Sequence, residues 1–326
     1  MSPHLYLTLV LASTLLVAEP KTGPLQVDPN EIGSTNQPPI HAGDKGSGVV
    51  RAQILLARAH FSCGQIDGDF GTNLQKTVSA FQGERQLPVS GAVDAATWTS
   101  LNADKAPLLI QSTVSDDDVK GPFVQVPRDM MAQANLPYLG YSSPLEELSE
   151  RFRSSPELMK ALNPNADFSK AGEVLTVPNV MVMPPGGAGS AARVVVSKSE
   201  SSVRAYDDQG KLLAFYVATI GSEHDPLPLG DWRIVGVSHD PVFHYNPNLF
   251  WDAKATDEKA TIHAGPRNPV GLVWIDLSKS HYGIHGTPDP SHIGHTTSHG
   301  CIRLTNWDAV ELAGMVKPGT AAALKE

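Results

Sequence analysis

The sequence predicts a multidomain α+β protein with a small three-helix N-terminal module, a βααβ spacer, and a mainly β domain that ends in a C-terminal helix. The chain has 326 residues, too many for one ordinary hydrophobic core, and its 41% hydrophobic content is typical of folded domains. Segments rich in glycine and proline divide the chain into units. The hydrophobic pattern also changes, from helical spacing to short β-branched strands, after residue 190.

An apolar run at residues 5–18 has the length of a signal-peptide core and is too short for a comfortable membrane span. We therefore predict a signal peptide at residues 1–18, export to the periplasm or cell wall, and no stable membrane span after cleavage of the signal. An uncleaved anchor or a misassigned start is the alternative, because no Lys or Arg precedes the run. The net charge of −9 argues against nucleic-acid binding, which requires clustered Lys and Arg.

Residues 19–44 are rich in Pro, Gly, Asn and Asp and have no hydrophobic period, which predicts a linker. Residues 45–102 then predict three short helices. Helical spacing of apolar residues is found from Val50 to Ala57, from Thr77 to Phe81 and from Thr97 to Leu101, and glycine-rich turns separate these stretches. A module of this size is small but can fold alone.

Three motifs of this module are more specific than its helices. They are the loop Gly64–Gly71 (GQIDGDFG), the pair Phe81-Gln82, and the turn Gly91–Thr97 (GAVDAAT). Together they resemble the peptidoglycan-binding module found on many cell-wall enzymes, and the resemblance implies affinity for peptidoglycan. The alternative is that the glycines only terminate helices.

Residues 103–136 carry Asp116-Asp117-Asp118 and one short apolar patch, which predicts a solvated linker. Residues 137–180 predict two short helices and a closing strand. With Asn163-Pro164 and a terminal Val-Pro, they resemble a LysM carbohydrate-binding module. The usual opening Gly-Asp-Thr-Leu is replaced by Ser-Ser-Pro-Leu at residues 142–145, so a spacer without glycan affinity is the alternative.

A segment rich in Pro and Gly at residues 183–189 predicts a second linker. The domain at residues 190–326 begins with short strands of β-branched and aromatic residues, and we expect a mainly β fold up to residue 305. A helix over Trp307–Val316, capped by Thr305 or Asn306, follows these strands.

The segment Ser298–Leu304 (SHGCIRL) indicates covalent chemistry. Cys301 follows a histidine and a glycine, and His285 lies sixteen residues upstream. A nucleophilic cysteine needs a base, an exposed sulfur, and N–H donors for the oxyanion. We predict that His285 takes the Cys301 proton and that its imidazolium raises the thiolate fraction. Gly300 lets main-chain N–H groups converge on the oxyanion, and the Gly286 carbonyl orients His285.

The roles of several neighbouring residues stay open. His299 would contact substrate or thiolate, or it supports the loop, and Arg303 would hold a substrate carboxylate, or it forms a structural salt bridge. A disulfide between Cys63 and Cys301 is an alternative for an exported chain. A zinc site of Cys301 and three histidines is another, but their spacing matches no metal signature, and we predict no metal and no cofactor. These histidines are His292, His295 and His299.

These residues resemble the catalytic signature of the L,D-transpeptidase family, whose YkuD-type domain has a histidine about sixteen positions before its S-H-G-C-I-R-L motif. The resemblance covers residues 193–318 and includes further matches at Pro228-Leu229-Gly230, Gly265–Pro269, Ile293-Gly294, Asn306 and Asp308. It implies that Cys301 is the nucleophile and His285 the general base and acid. It also implies a loop that shapes the oxyanion site, formed by Ser298, His299 and Gly300.

The family's reaction joins the stem peptides of peptidoglycan. By resemblance, Cys301 attacks the amide between an L- and a D-centre of a tetrapeptide stem, D-alanine leaves, and an amine of a neighbouring stem takes the acyl group. The implied partners are stem peptides and glycan strands, and a carbapenem-type β-lactam would acylate the same sulfur. An L,D-carboxypeptidase that uses the same thioester, or a catalytically silent peptidoglycan-binding protein, is the alternative.

Overall fold

The computed structural model describes residues 24–180 and 189–326. The predicted signal peptide, residues 1–18, and most of the second predicted linker lie outside these ranges. The helices of the described residues are α1 Pro29–Gly33, α2 Ser47–Arg58, α3 Thr72–Glu84, α4 Ala95–Leu101, α5 Asp116–Lys120, α6 Met130–Gln133, α7 Pro144–Arg151, α8 Pro156–Leu162 and α9 Asn306–Met315.

The strands are β1 Phe61–Ser62, β2 Leu109–Thr113, β3 Val174–Pro178, β4 Arg193–Ser197, β5 Ser202–Tyr206, β6 Leu212–Val217, β7 Thr219–Ile220, β8 Gly230–His239, β9 Phe243–Tyr245, β10 Ala260–Ile262, β11 Val273–Leu277, β12 Gly283–His285, β13 Ile302–Arg303 and β14 Ala321–Lys325. The predicted α+β class with several domains is confirmed. Among the described helices, none is long and apolar enough to cross a membrane.

The predicted three-helix N-terminal module is confirmed, with α2, α3 and α4 around one core. The side chains of Ile54, Phe70, Phe81 and Trp98 are at most 4% exposed. Helix α4 begins where the sequence places a capping residue, since Asp94 accepts a hydrogen bond from the N–H of the third helical residue. The helical spacing of the apolar residues therefore marks the faces that meet in this core.

Residues 24–44 pack against this module, although the sequence predicts a linker there. Ile32 in α1 is fully buried, and the main chain of Ile40 pairs with that of Val93. The guanidinium of Arg51 donates to the Ile32 carbonyl at 2.8 Å. The linker prediction is wrong for these residues because isolated apolar side chains hold the segment, and isolated anchors leave no hydrophobic period in a sequence.

The middle unit, residues 109–178, contains the predicted βααβ elements together with two further helices. Strands β2 and β3 pair antiparallel, and α5, α6, α7 and α8 lie between them along the chain. Its core is a small cluster of buried apolar side chains from these elements, Val114, Leu148, Met159, Leu175 and Val177. The first strand of this unit, however, lies at Leu109–Thr113, within the predicted linker of residues 103–136.

That linker prediction is wrong, because the segment also contains α5 and α6. The acidic run begins α5, where Ser115 and Asp118 form a capping box. Asp118 is 3% exposed and pairs with Arg151 of α7 at 2.5 Å. Carboxylates stabilise the first turn of a helix, so this charge run has a structural use.

The segment between α5 and α7, residues 121–143, reaches the C-terminal domain. Leu139 is fully buried in a cluster that includes Tyr245 and Ile262. Its N–H donates to the Ala264 carbonyl, and its carbonyl accepts from the Arg267 N–H, both at 3.0 Å. The middle unit is therefore attached through its main chain to the loop that follows β10.

The C-terminal domain contributes nine strands to a ten-stranded sheet, in the order β1-β6-β5-β4-β14-β8-β11-β12-β13-β7. The prediction of a mainly β domain with a C-terminal helix is confirmed. Helix α9 contributes Ala309 and Leu312 to a core that also holds Ile275, Ile284 and Ile302 of the sheet. Of the two predicted caps, Thr305 is the one observed.

The N-terminal module joins this sheet directly, because β1 pairs parallel with β6. Ser62 of β1 donates to the Asp308 carboxylate at 2.8 Å. The Glu311 carboxylate of α9 contacts His60 of the N-terminal module at 2.9 Å and Arg153 of the middle unit at 2.8 Å. All three units thus share one polar cluster at α9.

Both cysteines are free thiols, so the alternative of a disulfide is wrong. Cys63 lies in the buried core of the N-terminal module, while Cys301 precedes β13 in the C-terminal domain. Each cysteine is thereby fixed in a separate structural setting.

Candidate active site

Two neighbouring strands bring the predicted nucleophile and base to one region of the sheet. Strand β12 ends at His285, β13 begins directly after Cys301, and the two strands run parallel with His285 opposite Arg303. Opposed residues of paired strands share a face, and side chains two residues apart share it too. Cys301 therefore lies on the same side of the sheet as His285, away from the core under α9.

The His285 side chain is held on two sides. Its Nδ1 atom lies 2.7 Å from the Gly286 carbonyl oxygen, the contact predicted from the sequence. A carbonyl oxygen only accepts, so Nδ1 carries the proton and Nε2 keeps a free lone pair. The ring stacks on Trp274 of β11, with 5.4 Å between the ring centroids.

Burial lowers the pKa of His285 to about 3, and the nearby Arg303 cation adds to this shift. Burial also raises the pKa of the Cys301 thiol, against the opposing effects of the Gly283 main chain and of Arg303. Removal from water disfavours both charged forms, so these shifts oppose the predicted pairing of a thiolate with an imidazolium. A neutral His285 is in the form that can accept a proton.

The loop before Cys301 is closed by its own side chains. Ser298 is 3% exposed, and its hydroxyl donates to the Cys301 carbonyl at 2.5 Å. Gly300 has φ +94°, a conformation that favours glycine, and a Cβ there would lie 2.7 Å from the Tyr282 ring. The backbone at Gly300 thus depends on the absence of a side chain.

His299 contacts a loop that sequence reasoning did not include in the site. Its Nε2 atom lies 2.9 Å from the Asp252 carboxylate, and its ring packs against Phe250 and Trp251 at centroid distances of 5.1 and 5.9 Å. Its Nδ1 is buried without a hydrogen-bond partner among the described residues. Trp251 is 62% exposed. In the sequence, the available signal for this part of the site was the aromatic pair Phe250-Trp251, because exposure is known only from the structure.

Arg303 lies beside the reactive pair. Burial lowers the pKa of its guanidinium, although the neighbouring Cys301 side chain and the Asp252 carboxylate oppose this. The Nε atom is buried and has no hydrogen-bond partner among the described residues. The guanidinium therefore retains a donor for another group.

The other histidines of this region have separate partners. His292 pairs with Asp289 at 3.0 Å, and His295 lies 3.4 Å from the Asn73 amide of the N-terminal module. Within residues 24–180 and 189–326 no group of three or more His, Cys, Asp or Glu side chains could hold a metal ion.

The fold and the arrangement of Cys301 and His285 are those expected of an enzyme with a cysteine nucleophile and a histidine base, and comparison with known proteins gives the family of the chain. Residues 191–323 match the family of the YkuD L,D-transpeptidase catalytic domain, and residues 45–101 match the peptidoglycan binding domain family. The chain is 30% identical over 185 residues to the L,D-transpeptidase YkuD of Bacillus licheniformis, covering 55% of this chain and 92% of that protein.

The chain belongs to the L,D-transpeptidase family and is an enzyme, as predicted. It is also similar to the L,D-transpeptidase YbiS of Escherichia coli K12, with 27% identity over 187 residues, 56% of this chain and 60% of that protein. Among solved structures, an L,D-transpeptidase from Xylanimonas cellulosilytica aligns over 88% of this chain and 98% of its own, with 17% identity and a TM-score of 0.38.

Proposed function

We propose that this protein is an exported L,D-transpeptidase that cross-links peptidoglycan stem peptides through a thioester on Cys301. The observation that carries the proposal is the pairing of β12 with β13, which sets the Cys301 thiol and the buried His285 imidazole on one side of the sheet. The Nδ1 contact to Gly286 supports the role of His285, because it leaves Nε2 unprotonated.

In the first half of the reaction, the Cys301 sulfur attacks the carbonyl carbon of the amide between an L- and a D-centre, and His285 Nε2 takes the thiol proton. The C–N bond then breaks, His285 gives the proton to the leaving D-alanine amine, and the acyl group stays on sulfur as a thioester. A neutral imidazole suits both steps, since it must accept the proton before it returns it.

In the second half, an amine of a neighbouring stem attacks the thioester carbonyl. His285 takes a proton from this amine, the C–S bond breaks, and the proton returns to the sulfur. The product is a new amide between two stems, and the enzyme regains its resting thiol. Exclusion of water during this step separates a transpeptidase from a carboxypeptidase.

The residues around the thiol fit supporting roles. We assign stabilisation of the oxyanion to the main-chain N–H groups of Gly300 and Cys301, with Ser298 holding the loop through the Cys301 carbonyl. Gly286 orients His285. Arg303, whose positive charge acts on the Cys301 thiol, keeps the predicted role of holding a substrate carboxylate, and His299 keeps the predicted contact to substrate.

The proposed partners follow from the same chemistry. The N-terminal module, which matches the peptidoglycan binding domain family, would hold the enzyme on the polymer that carries its substrate. A carbapenem would acylate Cys301, because its strained amide carbonyl meets the same nucleophile. Export to the periplasm or cell wall, where this polymer lies, rests on the apolar run at residues 5–18. No cofactor takes part in these steps.

The decisive test incubates the purified protein with defined tetrapeptide muropeptides and identifies the products by mass spectrometry. We expect cross-linked dimers and free D-alanine from the wild type and from Cys63→Ala, which removes the other thiol. Cys301→Ala should fold but give neither product and no carbapenem adduct.

Two outcomes would contradict the proposal. Release of D-alanine without dimers would identify an L,D-carboxypeptidase. A folded wild type that gives no product and no adduct would identify a catalytically silent wall-binding protein.

A further inference from the structure

A carboxyl group of the middle unit reaches the C-terminal domain behind the candidate catalytic histidine. Glu150 of α7 accepts a hydrogen bond from the Asn306 side-chain amide at 2.7 Å. The same amide donates to the Pro266 carbonyl at 3.0 Å, so both of its N–H groups have acceptors. The amide oxygen of Asn306 accepts from the Leu272 N–H at 3.0 Å. The Asn306 side chain is therefore fixed at every polar atom.

Asn306 in turn limits the position of Gly286. A Cβ added to Gly286 would come within 2.1 Å of the Asn306 amide oxygen, which shows how closely this backbone passes the amide. The Gly286 carbonyl is the group that accepts from His285 Nδ1 at 2.7 Å. A continuous series of contacts thus runs from Glu150 through Asn306 and Gly286 to His285.

We infer that Glu150 is a positioning residue for His285, so that docking of the middle unit on the C-terminal domain sets the orientation of the catalytic base. The inference rests on the proposed function in taking His285 as that base. Glu150 touches no reacting atom. It acts by holding the Asn306 amide, against which the Gly286 backbone packs.

The surroundings of Glu150 support a specific role. Burial raises the pKa of its carboxyl to about 8, while the hydrogen bond from Asn306 opposes the shift. A half-buried carboxyl group loses part of its hydration and needs a hydrogen bond in exchange, and the hydrogen bond of Glu150 to Asn306 crosses to the C-terminal domain. The neighbouring Glu146 instead pairs with Arg267, which gives the same helix a second, separate contact to that domain.

Five variants, one of them a control, separate positioning from docking. Glu150→Ala removes the oxygen that accepts from the Asn306 amide, and the shorter side chain of Glu150→Asp moves this oxygen away from Asn306. Glu150→Gln keeps an acceptor oxygen without the carboxyl group. Glu146→Gln weakens the other contact of the same helix to the C-terminal domain. Glu147→Gln is the matched control, because this residue pairs with Arg151 within the middle unit.

The first readout is the rate of Cys301 alkylation by iodoacetamide, located by mass spectrometry. It needs no substrate. We expect Glu150→Ala to lower this rate and kcat by on the order of tenfold with KM unchanged, less than the loss of a general base because only its orientation is lost. The alkylation rate of Glu150→Asp should lie between those of wild type and Glu150→Ala. Glu150→Gln should recover most of the wild-type rate, and Glu146→Gln and Glu147→Gln should keep it.

The second readout is the NMR signal of the His285 Nδ1 proton, which should broaden or shift in Glu150→Ala and return in Glu150→Gln. The inference is overturned if Cys301 of Glu150→Ala is alkylated at the wild-type rate. It is also overturned if Glu146→Gln lowers the alkylation rate as much as Glu150→Ala, since Glu150 would then only help to dock the middle unit. If Glu150→Ala fails to fold, the comparison of Glu150→Asp with Glu146→Gln decides. Altered alkylation in a protein without transpeptidation would refute the proposed function and leave the positioning role intact.

Discussion

The polar cluster at α9 gives the sharpest prediction of stability. The Glu311 carboxylate accepts from Arg153 at 2.8 Å and contacts His60 at 2.9 Å, and its side chain is 5% exposed. Arg153 is 9% exposed and has Glu311 as its ion-pair partner. Glu311→Gln preserves shape but leaves the Arg153 cation buried beside a neutral group.

Removal of one partner of a buried ion pair typically costs about 3–5 kcal/mol, because the other charge stays out of water. We expect a value near the lower limit of about 3 kcal/mol, since the glutamine oxygen still accepts a hydrogen bond. For a chain of 326 residues, an unfolding entropy of about 2.1 cal/mol/K per residue corresponds to about 1.5 °C per kcal/mol, so the expected decrease in melting temperature is roughly 4–5 °C.

The dependence of this effect on pH has a definite sign. Burial raises the pKa of Glu311, but the His60 contact and the Arg153 charge outweigh it, so that the folded-state pKa is lowered. A lowered carboxyl pKa contributes stability above the unfolded value of about 4.3, and this contribution is lost as the pH falls through the folded-state pKa. The difference in the free energy of unfolding between wild type and Glu311→Gln should therefore have its full value at pH 7 and decrease below about pH 4.

Thermal and urea unfolding of both proteins measure the difference. Glu326→Gln is the matched control, because Glu326 pairs with Lys198 at 3.0 Å in a setting where the two side chains are 67% and 45% exposed. That variant should lose less than about 1 kcal/mol. A loss below about 1 kcal/mol in Glu311→Gln as well would refute the view that this cluster holds the three units together.

Two further predictions concern the thiol and its loop. Gly300→Ala should fold but cross-link at least about tenfold more slowly, because an alanine there combines a φ of +94° with contact to the Tyr282 ring. Gly210→Ala is the control, because its φ of +82° gives backbone strain but nothing lies within 4 Å of the added Cβ. This variant should keep wild-type turnover. Alkylation of Cys301 should be slow at pH 7 and rise beyond about pH 8.5, since burial raises the thiol pKa. A rate plateau that extends below pH 7 would indicate a thiolate–imidazolium pair and contradict this view.

The parts of the site that the sequence could predict are those encoded locally. The contact of His285 with the Gly286 carbonyl joins adjacent residues, and Gly300 lies beside Cys301 in one short loop. Residues that reach the site from distant positions carried no such signal. Asp252 contacts His299 across 47 positions, and Glu150 contacts Asn306 across 156.

The protonation states of His285 and Cys301 were harder to predict from the sequence than their positions, because they too depend on distant residues. The sequence favoured an imidazolium beside a thiolate, as an exposed pair would form near neutrality. Desolvation on the sheet lowers the pKa of His285 to about 3 and raises that of the Cys301 thiol, and both shifts oppose such a pair. Desolvation depends on everything packed around a group, and no motif of seven residues encodes it.

Contacts between distant residues also explain why the linker predictions before and after the N-terminal module were wrong. These contacts change how wall binding would act. A flexible tether lets a binding module raise the local concentration of substrate over a wide range of geometries. Here β1 is part of the catalytic sheet, and Ser62 and His60 contact α9 directly. Under the proposed function, a peptidoglycan strand held by this module would present stem peptides to Cys301 only from directions that the fixed interface allows, so the module would select an orientation of the polymer as well as its proximity.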